Sequence, residues 1–197
     1  MNERVCLMKD WTSYITQYLE ETNKISATID KKSINSMIKE LETLRQSRGR
    51  LFILGVGGSA GNASHAVNDF RKIANIETYA PTDNISELTA RVNDESWEVV
   101  FTSWLKTSRL SDKDCVLVFS VGGGSATTSL NLVRAMEFAK KQKAKIISVV
   151  SRNGGAAKEM SDVCVLVPVV NDKHITPHAE GWQGVVWHMV VNALCQT

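Results

Sequence analysis

The sequence predicts an α/β protein in which helices cover both faces of a parallel β-sheet. Short apolar runs of strand length alternate with longer segments that have helical periodicity, and glycine-rich turns follow several of the runs. Strands that alternate with helices form parallel sheets, and such sheets are covered on both faces. The apolar runs are residues 51–54, 115–120, 145–150 and 162–167, with a short extended piece at 77–80.

Composition limits the classes of protein to which the chain can belong. Its 197 residues are 43% hydrophobic and 22% charged, which predicts a single domain made of N-terminal helices (1–48) and an α/β core (49–197). A net charge of +2 is too small to indicate a nucleic acid or a membrane surface as partner. No run of about 18 apolar residues occurs, and Met1–Arg4 does not open a signal peptide.

The cysteines are scattered and form no C-x-x-C pair, and two of them occupy apolar, strand-like positions. This pattern is typical of buried thiols and predicts a reducing, cytoplasmic compartment. The four are Cys6, Cys115, Cys164 and Cys195.

Two helices are predicted before the first strand, over residues 7–47, with Asp30 as the cap between them. Each has an apolar face, the first including Trp11 and Leu19 and the second including Met37 and Leu41. These faces either pack on the sheet of the same chain or form an oligomer interface, and the pattern leaves both open.

The stretch from Arg50 to Ile73 organises the rest of the chain. It places an apolar strand, the loop 55–59 (Gly-Val-Gly-Gly-Ser) and a helix in succession, which makes an anion site. The same loop could also be an ordinary tight turn. A second loop, residues 120–125, follows the strand at 115–120. Because ligands of parallel sheets bind beyond the carboxyl ends of the strands, the two loops are expected to meet at one edge.

Several side chains on the predicted helices could carry chemistry. His65 and Asp69 are four residues apart, on one face of the helix at 59–74. Glu180 and His188 lie on a final helix predicted over 180–195. The remaining histidines, His174 and His178, fall in the polar segment before that helix and are predicted to be solvated loop residues. Further helices are predicted over 130–141 and, with a break near Asn93-Asp94, over 85–105.

A dinucleotide fold is the first alternative. Its fingerprint needs a third glycine, where this chain has Ala60, and an acidic residue further on, for which Glu77 could serve. Two loops that end in serine suit a compact phosphate better than a pyrophosphate. A Walker loop is excluded because the sequence contains no G-K-[ST].

The paired loops resemble those of the sugar isomerase (SIS) domain, and within that superfamily the chain is similar to the bacterial phosphoheptose isomerases over roughly its whole length. The family's G-N-G-G-S corresponds to 55–59, with Val56 replacing asparagine, and its H-x-x-x-E to His65 and Asp69. Its S-T-S-G-x-S loop corresponds to 120–125, which keeps only the outer serines. Its N-D corresponds to Asn93-Asp94. Its Q-E-x-H-x-x-x-x-H corresponds to residues 180–188, where Glu180 replaces the glutamine, Gln183 replaces the first histidine and His188 keeps the last one.

The resemblance implies a three-layer αβα sandwich with a five-stranded, flavodoxin-like parallel sheet, and a cytoplasmic homotetramer with shared sites. It implies isomerisation of sedoheptulose 7-phosphate to D-glycero-D-manno-heptose 7-phosphate for surface polysaccharide, with Asp69 and His188 as the acid–base pair. It also implies a zinc ion held by His65, Asp69, Glu180 and His188, a sound ligand set for that metal. The implied substrate-binding residues are Gly57, Gly58, Ser59, Asp94, Ser120, Gly122, Gly123, Ser125 and Glu180.

Two alternatives and one geometric conflict stay open. The chain could be a non-catalytic SIS regulator or adaptor that binds phosphosugars, or an isomerase of another phosphosugar. On a straight helix Glu180 and His188 would stand about 12 Å apart along the axis and about 80° apart in rotation. They can share a metal only if Glu180 lies in the preceding loop or bends inward, or if different subunits supply the ligands.

Overall fold

A computed structural model describes residues 10–196; Met1–Arg4, Cys6 and the predicted start of the first helix at residue 7 lie outside this range. Within this range there are eight helices and five strands, and at least one helix separates each strand from the next, as the sequence predicts; single 3-10 turns lie at Pro81–Asp83 and Asp172–His174. In chain order the elements are α1 (Thr12–Thr28), α2 (Lys31–Gln46), β1 (Leu51–Leu54), α3 (Gly58–Lys72), β2 (Thr78–Tyr79), α4 (Ile85–Asp94), α5 (Val100–Thr107), β3 (Cys115–Phe119), α6 (Leu130–Lys141), β4 (Lys145–Val150), α7 (Gly155–Met160), β5 (Val163–Leu166) and α8 (Ile175–Leu194).

The sheet has the order β2-β1-β3-β4-β5, and every pair of neighbouring strands is parallel. This is the flavodoxin-like order, so the predicted fold class is confirmed. From β1 the chain moves to one side to form β2 and then returns to the other side to form β3. The order therefore reverses between β1 and β3, where a crevice opens at the carboxyl ends of the strands. The two glycine-rich loops follow these two strands.

Alternate residues of the strands enter two separate hydrophobic cores, which makes the three layers. Leu51 and Ile53 of β1 face a core formed with α1, α2, α3 and α8. Phe52 and Leu54 face the opposite core, formed with α5, α6 and α7. Full burial of a leucine, isoleucine or phenylalanine side chain contributes about 1.5–3 kcal/mol, so both layers of helices are held firmly to the sheet.

The two N-terminal helices behave differently from one another. Asp30 caps α2 as predicted, because its carboxylate accepts hydrogen bonds from the backbone N–H groups of Lys32 and Ser33 at 2.9 and 3.2 Å. The apolar face of α2 is buried against β5 and α8. In α1 the buried residues are Glu21 and Ile25, while most of its apolar face remains exposed. Packing on the chain's own sheet therefore accounts for α2 but not for α1.

The last helix begins at Ile175, five residues before the predicted start at 180. Pro177 lies in its first turn, where the backbone N–H that proline lacks would have no partner within the helix. The helix can therefore run through Thr176-Pro177, which the sequence pattern made look like a loop. Glu180 is helical, and the prediction that it could lie in the preceding loop is wrong. Within residues 10–196, none of the helices combines the length and apolar character needed to cross a bilayer.

Candidate active site

The first glycine loop delivers the chain from β1 into α3. Gly57 precedes the helix with φ 64° and ψ −130°, a conformation that favours glycine. At Gly58 a Cβ atom would overlap the carboxylate of Glu180, so a side chain there would displace that group. Ser59 follows in the first turn of α3 and is buried. The loop thus sets the amino end of α3 against the crevice, where helix N–H groups favour an anion.

An open cavity of about 400 Å³ occupies the crevice between the two loops. Four residues predicted to bind substrate line it, namely Ser59, Ser120, Gly122 and Ser125. Polar groups that the sequence reasoning missed line it as well, and the set of hydroxyls and backbone amides suits a phosphate. The other lining residues are Val56, Phe119, Val121, Gly124, Thr128, Ser129, Arg152 and Thr176.

The serines of the second loop accept hydrogen bonds from the loop's own backbone. Ser120 Oγ accepts from the N–H of Gly123 at 3.1 Å, and Ser125 Oγ accepts from the N–H groups of Thr127 and Thr128 at 3.3 and 3.1 Å. A hydroxyl that accepts in this way keeps its own hydrogen for another partner. Each serine can therefore donate to an anion in the cavity while it holds the loop in shape.

Arg152 brings a cation to this cavity. It follows β4, lies in the left-handed region at φ 55°, and passes beside Gly122. A guanidinium is permanently charged and donates hydrogen bonds in a fork that matches phosphate oxygens. A basic residue just beyond the carboxyl end of an apolar strand was the available signal in the sequence. Gly123, by contrast, packs against the backbone of Gly154 and does not line the cavity.

A second group of predicted residues meets where α3 packs on α8. His65 Nε2 and His188 Nε2 lie 4.0 and 3.9 Å from Asp69 Oδ2. The proton on His188 is assigned to Nδ1, which donates to the carbonyl oxygen of Gly184 at 2.8 Å and leaves Nε2 free. Asn68 donates to Asp69 Oδ1 at 2.7 Å, so Oδ2 faces the two imidazoles.

This group lies on an apolar floor and opens to solvent. The Asp69 side chain is 13% exposed, whereas those of His65 and His188 are 59% and 49% exposed. Beneath them the ring of Trp187 is buried, and its centroid lies 4.7 Å from that of His65. The carboxylate is shielded while both imidazoles remain accessible to a substrate or to a neighbouring chain.

The donor set fits a divalent metal such as zinc. Ligand atoms of His65, Asp69 and His188 all lie within 4.8 Å of one another. Two imidazole nitrogens and one carboxylate oxygen are zinc ligands, and a ligating histidine commonly donates its other ring N–H to a backbone carbonyl, as His188 does.

Glu180 and Asp94 belong neither to this group of possible metal ligands nor to the lining of the cavity. Glu180 is not in this set of ligands, because its carboxylate packs on Gly58 at the amino end of α3. That position favours a negative charge. The eight residues between Glu180 and His188 on one straight helix also keep the two side chains too far apart to share a metal. Asp94 is exposed at the end of α4, accepts a hydrogen bond from the Asn93 side chain at 2.8 Å and does not line the cavity. Their roles stay predictions.

The other two histidines contradict the prediction that they are solvated. His178 is buried and His174 is half-buried, and both contact the buried Glu21 of α1. A hydrogen bond from Asn171 lowers the pKa of the Glu21 carboxyl and, with bonds from His174, His178 and Gln17, outweighs the opposite effect of burial. The H-x-x-x-H spacing was a signal for this arrangement, but nothing in the sequence pointed to Glu21 as the partner.

Comparison with known proteins identifies the family of the chain. The sequence model of the SIS domain matches residues 11–151. A phosphoheptose isomerase of Helicobacter pylori is 32% identical over 143 residues, which cover 70% of this chain and 70% of that protein. A probable phosphoheptose isomerase of Thermoplasma volcanium is 27% identical over 172 residues, covering 82% and 85%.

A solved structure, that of phosphoheptose isomerase GmhA from Neisseria gonorrhoeae, shares the fold. It superposes with a TM-score of 0.81 over 94% of this chain and 97% of that one, at 19% sequence identity. The chain therefore belongs to the SIS domain family and, within it, is an isomerase of the phosphoheptose isomerase type.

Proposed function

We propose that the protein converts sedoheptulose 7-phosphate to D-glycero-D-manno-heptose 7-phosphate for surface polysaccharide. The observation that carries this proposal is that α3 links the phosphate-type cavity to the imidazole–carboxylate group. Ser59 lines the cavity from the first turn of α3, and His65 follows six residues later, a rise of about 9 Å along the helix. A phosphosugar bound by its phosphate in the cavity would extend its remaining carbons along this helix.

Asp69 serves as the base of the reaction. Its Oδ2 removes a proton from C1 of the ketose, and the same proton returns to C2 of the enediol to give the aldose. Asn68 holds the other oxygen, so Oδ2 is the atom available for this transfer. A positioned base of this kind contributes typically about 10²–10⁴-fold in rate.

His188 moves the hydroxyl protons. Its Nδ1–H donates to the carbonyl oxygen of Gly184, so Nε2 carries the lone pair. Nε2 therefore takes the proton of the C1 hydroxyl and passes it to the carbonyl oxygen at C2. His65, Asp69 and His188 would hold a zinc ion through these same nitrogen and oxygen atoms. When bound, the ion would supply Lewis-acid polarisation of the carbonyl oxygen in place of the proton from His188.

The cavity supplies the binding energy. The hydroxyls of Ser59, Ser120 and Ser125, together with the guanidinium of Arg152, would donate hydrogen bonds to the phosphate. Bonds of this kind hold the part of the substrate that does not react, so the carbons that do react are presented to Asp69 and His188.

We also propose a cytoplasmic homotetramer with sites shared between subunits. The apolar side chains of Tyr14, Ile15 and Leu19 are exposed along α1, which supports an interface there. The exposure of His65 and His188 supports the sharing of sites, because a neighbouring chain could close them. Cys115, Cys164 and Cys195 are free thiols, which supports a reducing compartment.

The decisive experiment measures turnover of sedoheptulose 7-phosphate, coupled to a heptose kinase, before and after chelation and after zinc is restored. We expect activity that falls on chelation and returns with the metal. Tight phosphosugar binding without turnover under any metal condition would indicate that the protein is a non-catalytic phosphosugar sensor and not an enzyme. Turnover of a shorter phosphosugar in preference to the heptose would change the substrate and not the reaction.

A further inference from the structure

A buried carboxylate and two imidazoles converge where α1 packs against the beginning of α8. Glu21 Oε2 lies 2.7 Å from His174 Nδ1 and 2.9 Å from His178 Nε2. One ligand atom from each of the three side chains lies within 4.8 Å of the other two. The three groups come from α1, the 3-10 turn at Asp172–His174 and α8, so tertiary packing brings them together.

The surroundings of Glu21 leave one oxygen directed at the histidines. Gln17 and Asn171 both donate side-chain hydrogen bonds to Oε1, at 2.8 and 2.6 Å. Oε2 receives neither of these bonds and faces the two ring nitrogens. Amide groups that fix the outer oxygen of a carboxylate are the kind of support that orients metal ligands.

The cluster is shielded from water except at one edge. The side chains of Glu21 and His178 are each 6% exposed, and that of His174 is 17% exposed. Tyr18 stacks on His178 with ring centroids 4.5 Å apart and also lies 5.4 Å from the ring of His174. The open edge at His174 gives an ion a route to the ligands, which a buried site requires.

We propose that Glu21, His174 and His178 form a second divalent-metal site, separate from the one at Asp69, and that zinc is the ion it takes. Two imidazole nitrogens and one carboxylate oxygen are a ligand set that zinc uses, with a fourth position for water. At bond lengths of about 2.1 Å, tetrahedral ligand atoms stand roughly 3.4 Å apart. Loading therefore requires the two histidines to move outward from Oε2 by about half an ångström.

A metal at this position would fasten α1 to the segment that leads into the active site. Thr176 lies between the two histidine ligands and lines the phosphate-type cavity. Glu180 follows His178 on the same helix and reaches the first glycine loop. The metal would therefore hold the wall of the cavity in place and take no part in the reaction itself.

Zinc binding tests this site in full-length protein whose other candidate site has been disabled. The background variant is H65Q/H188Q, which changes two exposed side chains and removes the imidazoles near Asp69. After zinc loading and gel filtration, elemental analysis should find one zinc ion per chain in this background. Adding E21Q or H178Q should reduce the zinc content to the level of a metal-free control.

A residue that supports Glu21 without being a ligand provides a second measurement. In the same background, Asn171→Ala should weaken zinc affinity about 10–100-fold, as loss of an outer-shell partner does. The matched control is Asn93→Ala, because Asn93 is an exposed asparagine whose side chain donates a hydrogen bond to the neighbouring Asp94. It should leave zinc affinity unchanged. Competition with a chromophoric chelator measures the zinc affinity of both variants.

Crystals of the H65Q/H188Q protein keep the test decisive if a Glu21 variant fails to fold. Anomalous scattering at the zinc edge should give a peak between Glu21, His174 and His178. Zinc at background level in a folded H65Q/H188Q protein, or a peak elsewhere, would overturn the proposal. Because this background lacks both histidines of the proposed active site, neither result depends on whether the proposed isomerase reaction is correct.

Discussion

His188 Nε2 of α8 lies 3.9 Å from Asp69 Oδ2 of α3, at a contact between two helices that are far apart in the sequence. The separation is too long for a direct hydrogen bond and leaves room for a substrate atom or a metal between the two groups. His188 Nδ1 and Asp69 Oδ1 are both engaged by other groups, so the two free atoms face one another. The predictions about catalysis follow from this pair.

Replacing either member of the pair should abolish most of the activity. His188→Gln and Asp69→Asn should each lower the turnover number by at least about 10²-fold, as loss of an acid or base does. Phosphosugar binding should change much less, because the cavity residues carry it. Lys72→Gln, at the exposed end of α3, is the matched control and should keep parental turnover. Equal losses in all three variants would mean that the pair has no special role.

Asp69→Glu separates two explanations for the departure from the family's glutamate. The longer side chain reaches one methylene further toward His188. If aspartate is a weakened base, the variant should be at least as active as the parent. If the neighbouring residues, including Asn68 and Trp187, are arranged to fit the shorter aspartate, activity should fall. Turnover on protein checked for folding and metal content distinguishes the two outcomes.

Phosphate binding should depend on the two loops and on Arg152. Ser120→Ala and Ser125→Ala should each weaken phosphosugar binding by about 0.5–1.5 kcal/mol, the net contribution of one hydrogen bond. Arg152→Ala should cost more, about 1.5–3 kcal/mol, because the lost hydrogen bonds come from a charged group. Titration of each variant with the phosphosugar measures these changes.

The control for the cavity variants is Arg134→Ala, which removes an exposed arginine of α6 that pairs with Glu137. It should leave the affinity unaltered. Because Ser120 and Ser125 also accept bonds from their loop, thermal unfolding must show that each variant keeps the parental fold. Unchanged affinity in the serine variants and in Arg152→Ala would place the phosphate outside this cavity.

The sequence allowed the sheet to be predicted almost residue by residue, but not the contacts between distant elements. Leu51–Leu54 and Lys145–Val150 are strands with the predicted bounds, because each is an apolar run that ends at a turn. The grouping of His65, Asp69 and His188 was also expected, from local spacing and family resemblance.

What failed depends on contacts that no local pattern encodes. The start of α8 was missed because Thr176-Pro177 has the composition of a turn, although proline is also tolerated in the first turn of a helix, where Pro177 lies. His174 and His178 looked solvated because their partner, Glu21, belongs to another helix at the other end of the chain. Arg152 went unnoticed because its position in the cavity depends on a left-handed turn after β4.

The exposed face of α1 should mediate assembly. Ile15 and Leu19 are each more than half exposed, and placing lysine at both positions would put charges where apolar surfaces meet. We expect I15K/L19K to sediment as a smaller species with parental secondary structure. Deleting residues 1–29 should also yield smaller species, but poorly soluble ones, because Ile25 of α1 belongs to the hydrophobic core.

Glu20→Lys, on the same helix at an exposed polar position, is the control for the α1 variants and should keep the parental assembly. Analytical ultracentrifugation compares all of these proteins at equal concentration. A parental sedimentation coefficient for I15K/L19K would rule out this face as the interface.

The end of the sheet opposite the cavity provides a test of stability that should not affect catalysis. Asp114, just before β3, is buried and pairs with Arg50, just before β1, with 2.8 Å between Nη2 and Oδ2. It also accepts hydrogen bonds from the N–H and Oγ of Ser111 at 2.8 and 2.9 Å. Burial raises the pKa of Asp114, but the bonds from Arg50 and Ser111 outweigh burial and hold that pKa below its usual value.

A lowered pKa in the folded state fixes the sign of the pH dependence. The unfolded carboxyl titrates near pH 3.9, so the stabilising effect is complete above about that pH and is lost as pH falls through the lower folded pKa. At neutral pH, Asp114→Asn should reduce the free energy of unfolding by about 1–3 kcal/mol, because Arg50 loses its charged partner but stays 28% exposed and bonded to two backbone carbonyls. The difference between parent and variant should shrink below about pH 4, since asparagine does not titrate. Asp112→Asn, in the same turn but exposed, should show neither effect. Denaturant unfolding at several pH values checks both, and a difference that grows as pH falls would contradict the role of this pair.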